Sequence, residues 1–166
     1  VNYGKLKQNT FDDRMKFIET LLDVSKNKIN FQLLGMFNEQ PKWNFDFEKE
    51  LMFSKTALNL SRGGPTKYSS SNRIASLVAN GIYTFIDRKT KYDDFFDDSE
   101  MGFYKDEIDL VNKIEKLKSK EEKIYKYAKN GMKRYFSLFN NKLVSKYIID
   151  RTFNNTEDKI QIWEKY

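Results

Sequence analysis

Residues 58–87 read LNLSRGGPTKYSSSNRIASLVANGIYTFID, and their order decides the fold. The apolar run Ala57-Leu58-Asn59-Leu60 stops at Ser61-Arg62-Gly63-Gly64-Pro65, which spells a buried strand breaking into a tight turn. Ser69, Ser70, Ser71 and Asn72, residues that cap helices, stand directly before the helical pattern Ile74, Leu77, Val78. Gly81 sits where a C-terminal cap is wanted, and Ile82-Tyr83-Thr84-Phe85-Ile86 follows as a β-branched and aromatic strand ending at Asp87. The unit is strand, glycine-rich loop, helix, strand.

Such a loop is suited to an anion. A helix start leaves N–H groups unpaired and carries partial positive charge, so a phosphate at Ser70–Asn72 would meet ready donors. Arg62 and Lys67 flank that spot, and Gly63 and Gly64 let the backbone approach a pyrophosphate. Ser61, Tyr68, Ser69, Ser71 and Arg73 complete the candidate set. The same residue types also cap helices and turn corners with no ligand present.

The flanking chain supports an α/β reading. Phe11, Met15, Ile18 and Leu22 fall at helical spacing, and Ile29–Gly35 alternates as a half-covered strand would. Val1–Leu6 is a candidate first strand, Phe45–Ser54 a helix, and Gly102-Phe103-Tyr104 a short edge strand. Asp106 and Asp109 open a helix carrying Ile108, Val111, Ile114 and Leu117, and helices continue from Lys120, with a last one expected over Thr156–Tyr166. The run Tyr92-Asp93-Asp94-Phe95-Phe96-Asp97-Asp98 is expected to be a solvated acidic turn with two buried rings, not a metal site. Strands alternating with helices predict a Rossmann-like, mainly parallel sheet flanked by helices, with a helical C-terminal segment. Ligands of such sheets sit at the carboxyl ends of the strands, where Gly35 and Ser61–Tyr68 gather and Asp87 is close.

Composition narrows the chemistry. The 166 residues suit one domain and include no Cys and no His, which excludes disulfides, imidazole or thiolate metal sites and imidazole triads. Net charge is +6, which favours an anionic partner. No stretch of eighteen apolar residues and no signal-like start is present, so a cytoplasmic setting is expected, with peripheral contact at the inner membrane face through the lysine-covered helices. The start at Val1 without Met reads as a piece of a longer protein. Neither G-x-G-x-x-G nor G-x-x-x-x-G-K-[ST] occurs, so dinucleotide and P-loop readings lose their support.

Ala57-Leu58-Asn59-Leu60-Ser61-Arg62, then Asn72-Arg73-Ile74 and Ala79-Asn80-Gly81 before an apolar strand, resembles the donor-binding half of GT-B fold glycosyltransferases, in particular the CgeB-like branch. The resemblance covers roughly Phe11–Phe153 and is most specific over Asn59–Gly81. It implies a single donor domain over 1–166, cut from a two-domain enzyme, that binds a nucleoside-diphosphate sugar with no metal or other cofactor. A separate N-terminal domain would present the hydroxyl of a glycan or other acceptor, in cell-surface polysaccharide synthesis. Arg62 and Lys67 would then neutralise the diphosphate, the amides of Ser69–Asn72 would cradle it, the loop after Gly35 would approach the base, and Arg73 would add a charge contact or an anchor. Relatives place a Glu three residues after that Arg to bind the ribose, and this chain has Ser76, so Asn72 or Asp109 would have to substitute. No general base is visible. Two rival readings are a nucleic-acid-binding module using Arg62, Lys67, Arg73 and the rings of Tyr68, Tyr83 and Phe103, and a nucleotide fold kept only for interaction.

Overall fold

The computed structural model describes residues 8–26, 28–37, 39–61, 64–69 and 71–154, with side chains from Asp13 onward. Along them run α1 (Gln8–Ser25), α2 (Asn44–Phe53), β1 (Thr56–Asn59), α3 (Asn72–Val78), β2 (Tyr83–Asp87), β3 (Gly102–Tyr104), α4 (Glu107–Lys118), α5 (Glu121–Phe139) and α6 (Asn141–Thr152). The strands form one parallel sheet in the order β1-β2-β3. The fold is therefore α/β and Rossmann-like, a parallel sheet flanked by helices with a helical C-terminal segment, as the sequence predicts. The strand expected over Val1–Leu6 and the helix expected over Thr156–Tyr166 lie outside the described residues.

β2 is the middle strand, and its first four residues are buried. A parallel strand covered on both faces carries apolar side chains at successive positions, which is what Tyr83-Thr84-Phe85-Ile86 supplies. Tyr83 and Phe85, with Tyr104, turn to one side and pack with Ile18, Leu21, Leu110, Val111, Ile124 and Ala128 of α1, α4 and α5. Ile86 and Phe103 turn to the other and meet Ile74 and Val78 of α3, the rings of Tyr92, Phe95 and Phe96, and Leu138 near the end of α5. One helix, α5, thus serves both cores. It can do so because Gly131 lies against the carbonyl of Glu100, where any Cβ would overlap that oxygen.

Local signals account for the element ends. Gly81 takes a left-handed φ of 72° and closes α3: its N–H donates to Val78 O and that of Ile82 to Leu77 O, the paired bonds of a Schellman motif. Asp106 caps α4 by accepting from Asp109 N at 2.8 Å, and the Asp109 carboxylate accepts from Lys105 N at 3.0 Å. Asn140, between α5 and α6, accepts from Leu143 N and donates to Phe136 O, so one side chain ends one helix and starts the next.

One expected strand does not form. Residues 30–33 join no ladder, and residues 34–37 turn. Ile29, Phe31 and Leu33 do face the first core, so the alternation reports one-sided packing and not pairing. Side chains hold the segment instead: Gln32 and Lys42 both donate to Glu50 of α2, and Lys118 of α4 donates to the Lys28 carbonyl.

The acidic run begins in a 3-10 turn, Tyr92–Asp94, preceded by another at Arg88–Thr90, and buries Phe95 and Phe96. Its carboxylates have local work. Asp93 pairs with Arg88 at 2.8 Å, Asp94 accepts from the Tyr68 hydroxyl at 2.6 Å, and Asp97 accepts from Ser99.

Replacing Gly131 by Ala should destabilise the protein by about 1–3 kcal/mol, because the added methyl must displace the Glu100 backbone or α5 itself. An unchanged thermal midpoint would contradict the packing described. A second outcome concerns alkali. Burial first, then the charges of Asp98 and Asp97 together with the neighbouring Tyr127, raises the phenol pKa of Tyr83; burial first, then Asp87 and Glu107, raises that of Tyr104. In the unfolded chain both phenols release protons near pH 10, while the folded chain keeps them. Stability should thus hold below about pH 10 and fall as pH rises beyond it, read as an earlier denaturant midpoint with a further rise in phenolate absorbance on unfolding as these two buried rings are released.

Candidate active site at the carboxyl edge of the sheet

β1 ends at Asn59, a polar residue only 3% exposed. Its side chain accepts from the Ser71 hydroxyl at 3.4 Å, which ties the residue before α3 to the end of the strand. Two residues on, Arg73 reaches back and donates from Nη1 to the Leu60 carbonyl at 3.0 Å. That carbonyl has just left the ladder, so the guanidinium sits directly over the strand's carboxyl end. The anchoring half of the role expected for Arg73 is visible here.

A second guanidinium arrives from the opposite layer. The Phe17 ring of α1 lies 5.7 Å from that of Tyr104, the last residue of β3, which sets the first half of α1 over the carboxyl edge. Arg14 is one turn earlier. It is half-buried, and its Nε is enclosed with no hydrogen-bond partner. The pKa of Arg73 is lowered, first by burial of its guanidinium and then by the like charge of Arg14. The two cations therefore feel each other, and neither forms an ion pair with a carboxylate among the described residues. Two guanidiniums brought to the same edge without carboxylate partners suit a multiply charged oxyanion, whose oxygens match their fork geometry.

Sequence reading missed Arg14. The available signal was a cation on an apolar helix face: Arg14, Ile18 and Leu21 share one side of α1, and the last two are almost fully buried.

The other expected residues divide. Arg62, Gly63 and Ser70 lie outside the described residues. Gly64 has φ 91° with open space where a side chain would be, so the loop does bring bare backbone to the surface after Ser61. Ser71 starts α3 in extended conformation without a side-chain cap bond, and the Asn72 carbonyl accepts from Ser76.

Ser69 departs from expectation. Its N–H donates to Thr66 O at 3.1 Å to close a turn, so it is not a free amide for a diphosphate. Tyr68 is drawn toward the loop after β2. Its N–H donates to Thr90 O, its hydroxyl to Asp94, and its ring meets Phe95 at 5.2 Å. Lys67, exposed, lies 4.5 Å over the Tyr68 ring. The pair clamps two loops together. Gly35 is not at a strand end, because that strand is absent; it turns the chain against Pro41.

Asp109 is likewise engaged. Burial alone would raise its pKa, but hydrogen bonds from Lys113 and the Lys105 N–H, with those two charges, hold it below the usual range. It serves the start of α4, not a ribose. Among the described residues no three carboxylates cluster in a way that could hold a metal ion.

A family model described as glycosyl transferase-like matches residues 14–150, a span that runs from Arg14 through the sheet to α6. The chain belongs to this glycosyltransferase family. Its general chemistry is thus glycosyl transfer. Neither a curated protein nor a solved structure shows significant similarity to it.

Relieving the repulsion should be measurable without ligand. Arg14→Met keeps the apolar stem and removes a positive charge near Arg73, and is expected to raise the ligand-free stability by a few tenths of a kcal/mol, discounted for solvent screening and read as a slightly higher thermal midpoint. A clear loss of stability would show that the Arg14 charge is structural.

Proposed function

We propose that this chain is the donor-binding domain of a GT-B, CgeB-like glycosyltransferase, and that it holds a nucleoside-diphosphate sugar by its diphosphate between Arg14 and Arg73. The observation that carries this is the guanidinium pair without carboxylate partners at the carboxyl edge of a parallel sheet. Arg62 and Lys67 are the further charge candidates on the same loop, with Ser61, Gly63, Gly64, Ser70, Ser71 and Asn72 supplying backbone and hydroxyl donors. An acceptor hydroxyl, presented by a second domain, attacks the anomeric carbon; the bond to the diphosphate oxygen breaks and the nucleoside diphosphate leaves. Negative charge grows on that oxygen in the transition state. Cations already in place stabilise it without reorganising, and no metal is needed for the task. The site therefore favours the leaving group more than the intact donor, which is the condition for lowering the barrier. Synthesis of a cell-surface glycan at the inner membrane face is the setting in which we place this activity.

The nucleic-acid reading is weaker on a specific count. Tyr83 and Phe103, two of the rings it needs, are 3% and 1% exposed and belong to the two cores. Bases cannot stack on them.

Calorimetry with nucleoside diphosphates and their parent nucleosides tests the proposal. Binding is expected to require the diphosphate, and Arg73→Ala should weaken it by about 1.5–3 kcal/mol, roughly 10- to 150-fold. Arg14→Met should act in the same direction, while circular dichroism confirms that both variants fold. Equal affinity for nucleoside and diphosphate, or no loss in either variant, would remove the proposed site.

A further inference from the structure

Neither α2 nor α6 buries a residue, yet the two differ in charge. On α6, Val144, Ile148 and Ile149 are 37%, 57% and 53% exposed, and Phe153 just beyond its end is 70% exposed. Leu143 and Tyr147, on the opposite arc, are half-buried. The outward arc therefore sets three branched aliphatics among the exposed Lys142, Ser145 and Lys146, where a solvated helix would be polar throughout. Phe136, in the last turn of α5, adds another half-exposed ring.

The two C-terminal helices also carry the chain's excess of cations. Between Lys120 and Phe153 stand nine basic and three acidic side chains, an excess equal to the whole chain's net charge of +6. All remaining residues sum to neutrality, so the charge is concentrated on α5 and α6. Lys126, Lys129, Lys133 and Lys142 are exposed. The exposed apolar residues of α2, by contrast, neighbour Asp46, Glu48 and Glu50 as well as Lys49.

Branched aliphatics flanked by flexible cations fit one kind of surface. The apolar side chains enter the boundary between headgroups and acyl chains, while lysine stems lie along it and carry their ammonium groups to lipid phosphates. A nucleic acid would use the lysines and leave Ile148 and Ile149 without a role, since stacking needs planar rings. α6 is twelve residues long, about 18 Å, and would lie in the plane of the bilayer. Among the described residues no helix is long and apolar enough to cross it.

We propose that α6, with the last turns of α5, docks this protein on an anionic lipid bilayer. The inference rests on surface chemistry away from the paired arginines and stands whether or not they bind a diphosphate.

Co-sedimentation with vesicles tests it. At about 0.1 M salt, the protein should sediment with vesicles of phosphatidylcholine containing about 30 mol % phosphatidylglycerol, and not with phosphatidylcholine alone. Ile148→Ser/Ile149→Ser should lower the partition coefficient about tenfold or more. Lys133→Glu/Lys142→Glu should lower it as well and flatten its salt dependence. These positions are exposed, so the melting curves should stay near that of the unaltered protein; Phe153→Ser, beyond the helix, gives a smaller loss without touching α6. The proposal is overturned by no partition to the anionic vesicles, by equal partition to both kinds, by retention in the isoleucine and Phe153 variants, or by tighter binding to duplex DNA that only the lysine variant abolishes.

Discussion

Burial of β2 on both faces is the constraint from which the rest of the architecture follows. A strand with Tyr83 and Phe85 on one side and Ile86 on the other needs two covering layers, and the chain supplies them from different regions. α1, α4 and the first half of α5 form one layer. α3, the aromatic loop and the end of α5 form the other. Because β1 and β3 both run parallel to β2, all three carboxyl ends open toward the same edge. Each layer then contributes one arginine to that edge, Arg73 from α3 and Arg14 from α1.

This arrangement links packing to chemistry. Arg73 is fixed by a carbonyl whose position the sheet dictates, and Arg14 by the apolar face that it shares with Ile18 and Leu21. The repulsion between them is a small cost within a fold whose two cores are well packed. Sites that bind multiply charged ligands carry such a cost, because the ligand supplies the missing charge. On the proposed reading the same pair would meet a charge that increases as the bond breaks, which makes its placement more useful in the transition state than before it.

Much of the fold was legible in the sequence where punctuation and periodicity agreed. Gly81 after Val78, Asp106 before α4 and the β-branched run of β2 each carried a local mechanism, and the structure uses each one. The segment Ile29–Gly35 failed because alternation reports which face is covered and says nothing about whether a neighbouring strand offers hydrogen bonds. For the site, loop residues were easier to suspect than to place. Lys67 and Tyr68 have the composition of an anion loop, yet Tyr68 is committed to Thr90 and Asp94, a partner 26 residues away that no local pattern reveals. Arg14 was hidden for the opposite reason. It lies far from the loop in sequence, on a helix whose apolar spacing explained itself.

The clamp at Tyr68 has a consequence for how this site can diversify. Its left-handed backbone, its bond to Thr90 and its hydroxyl on Asp94 join the segment after β1 to the segment after β2 at a single residue. The two segments therefore behave as one inherited module. Transplanting the glycine-rich loop into a related scaffold without Thr90 and Asp94 would deliver its residues but not its shape, so changes in one stretch should be felt in the other.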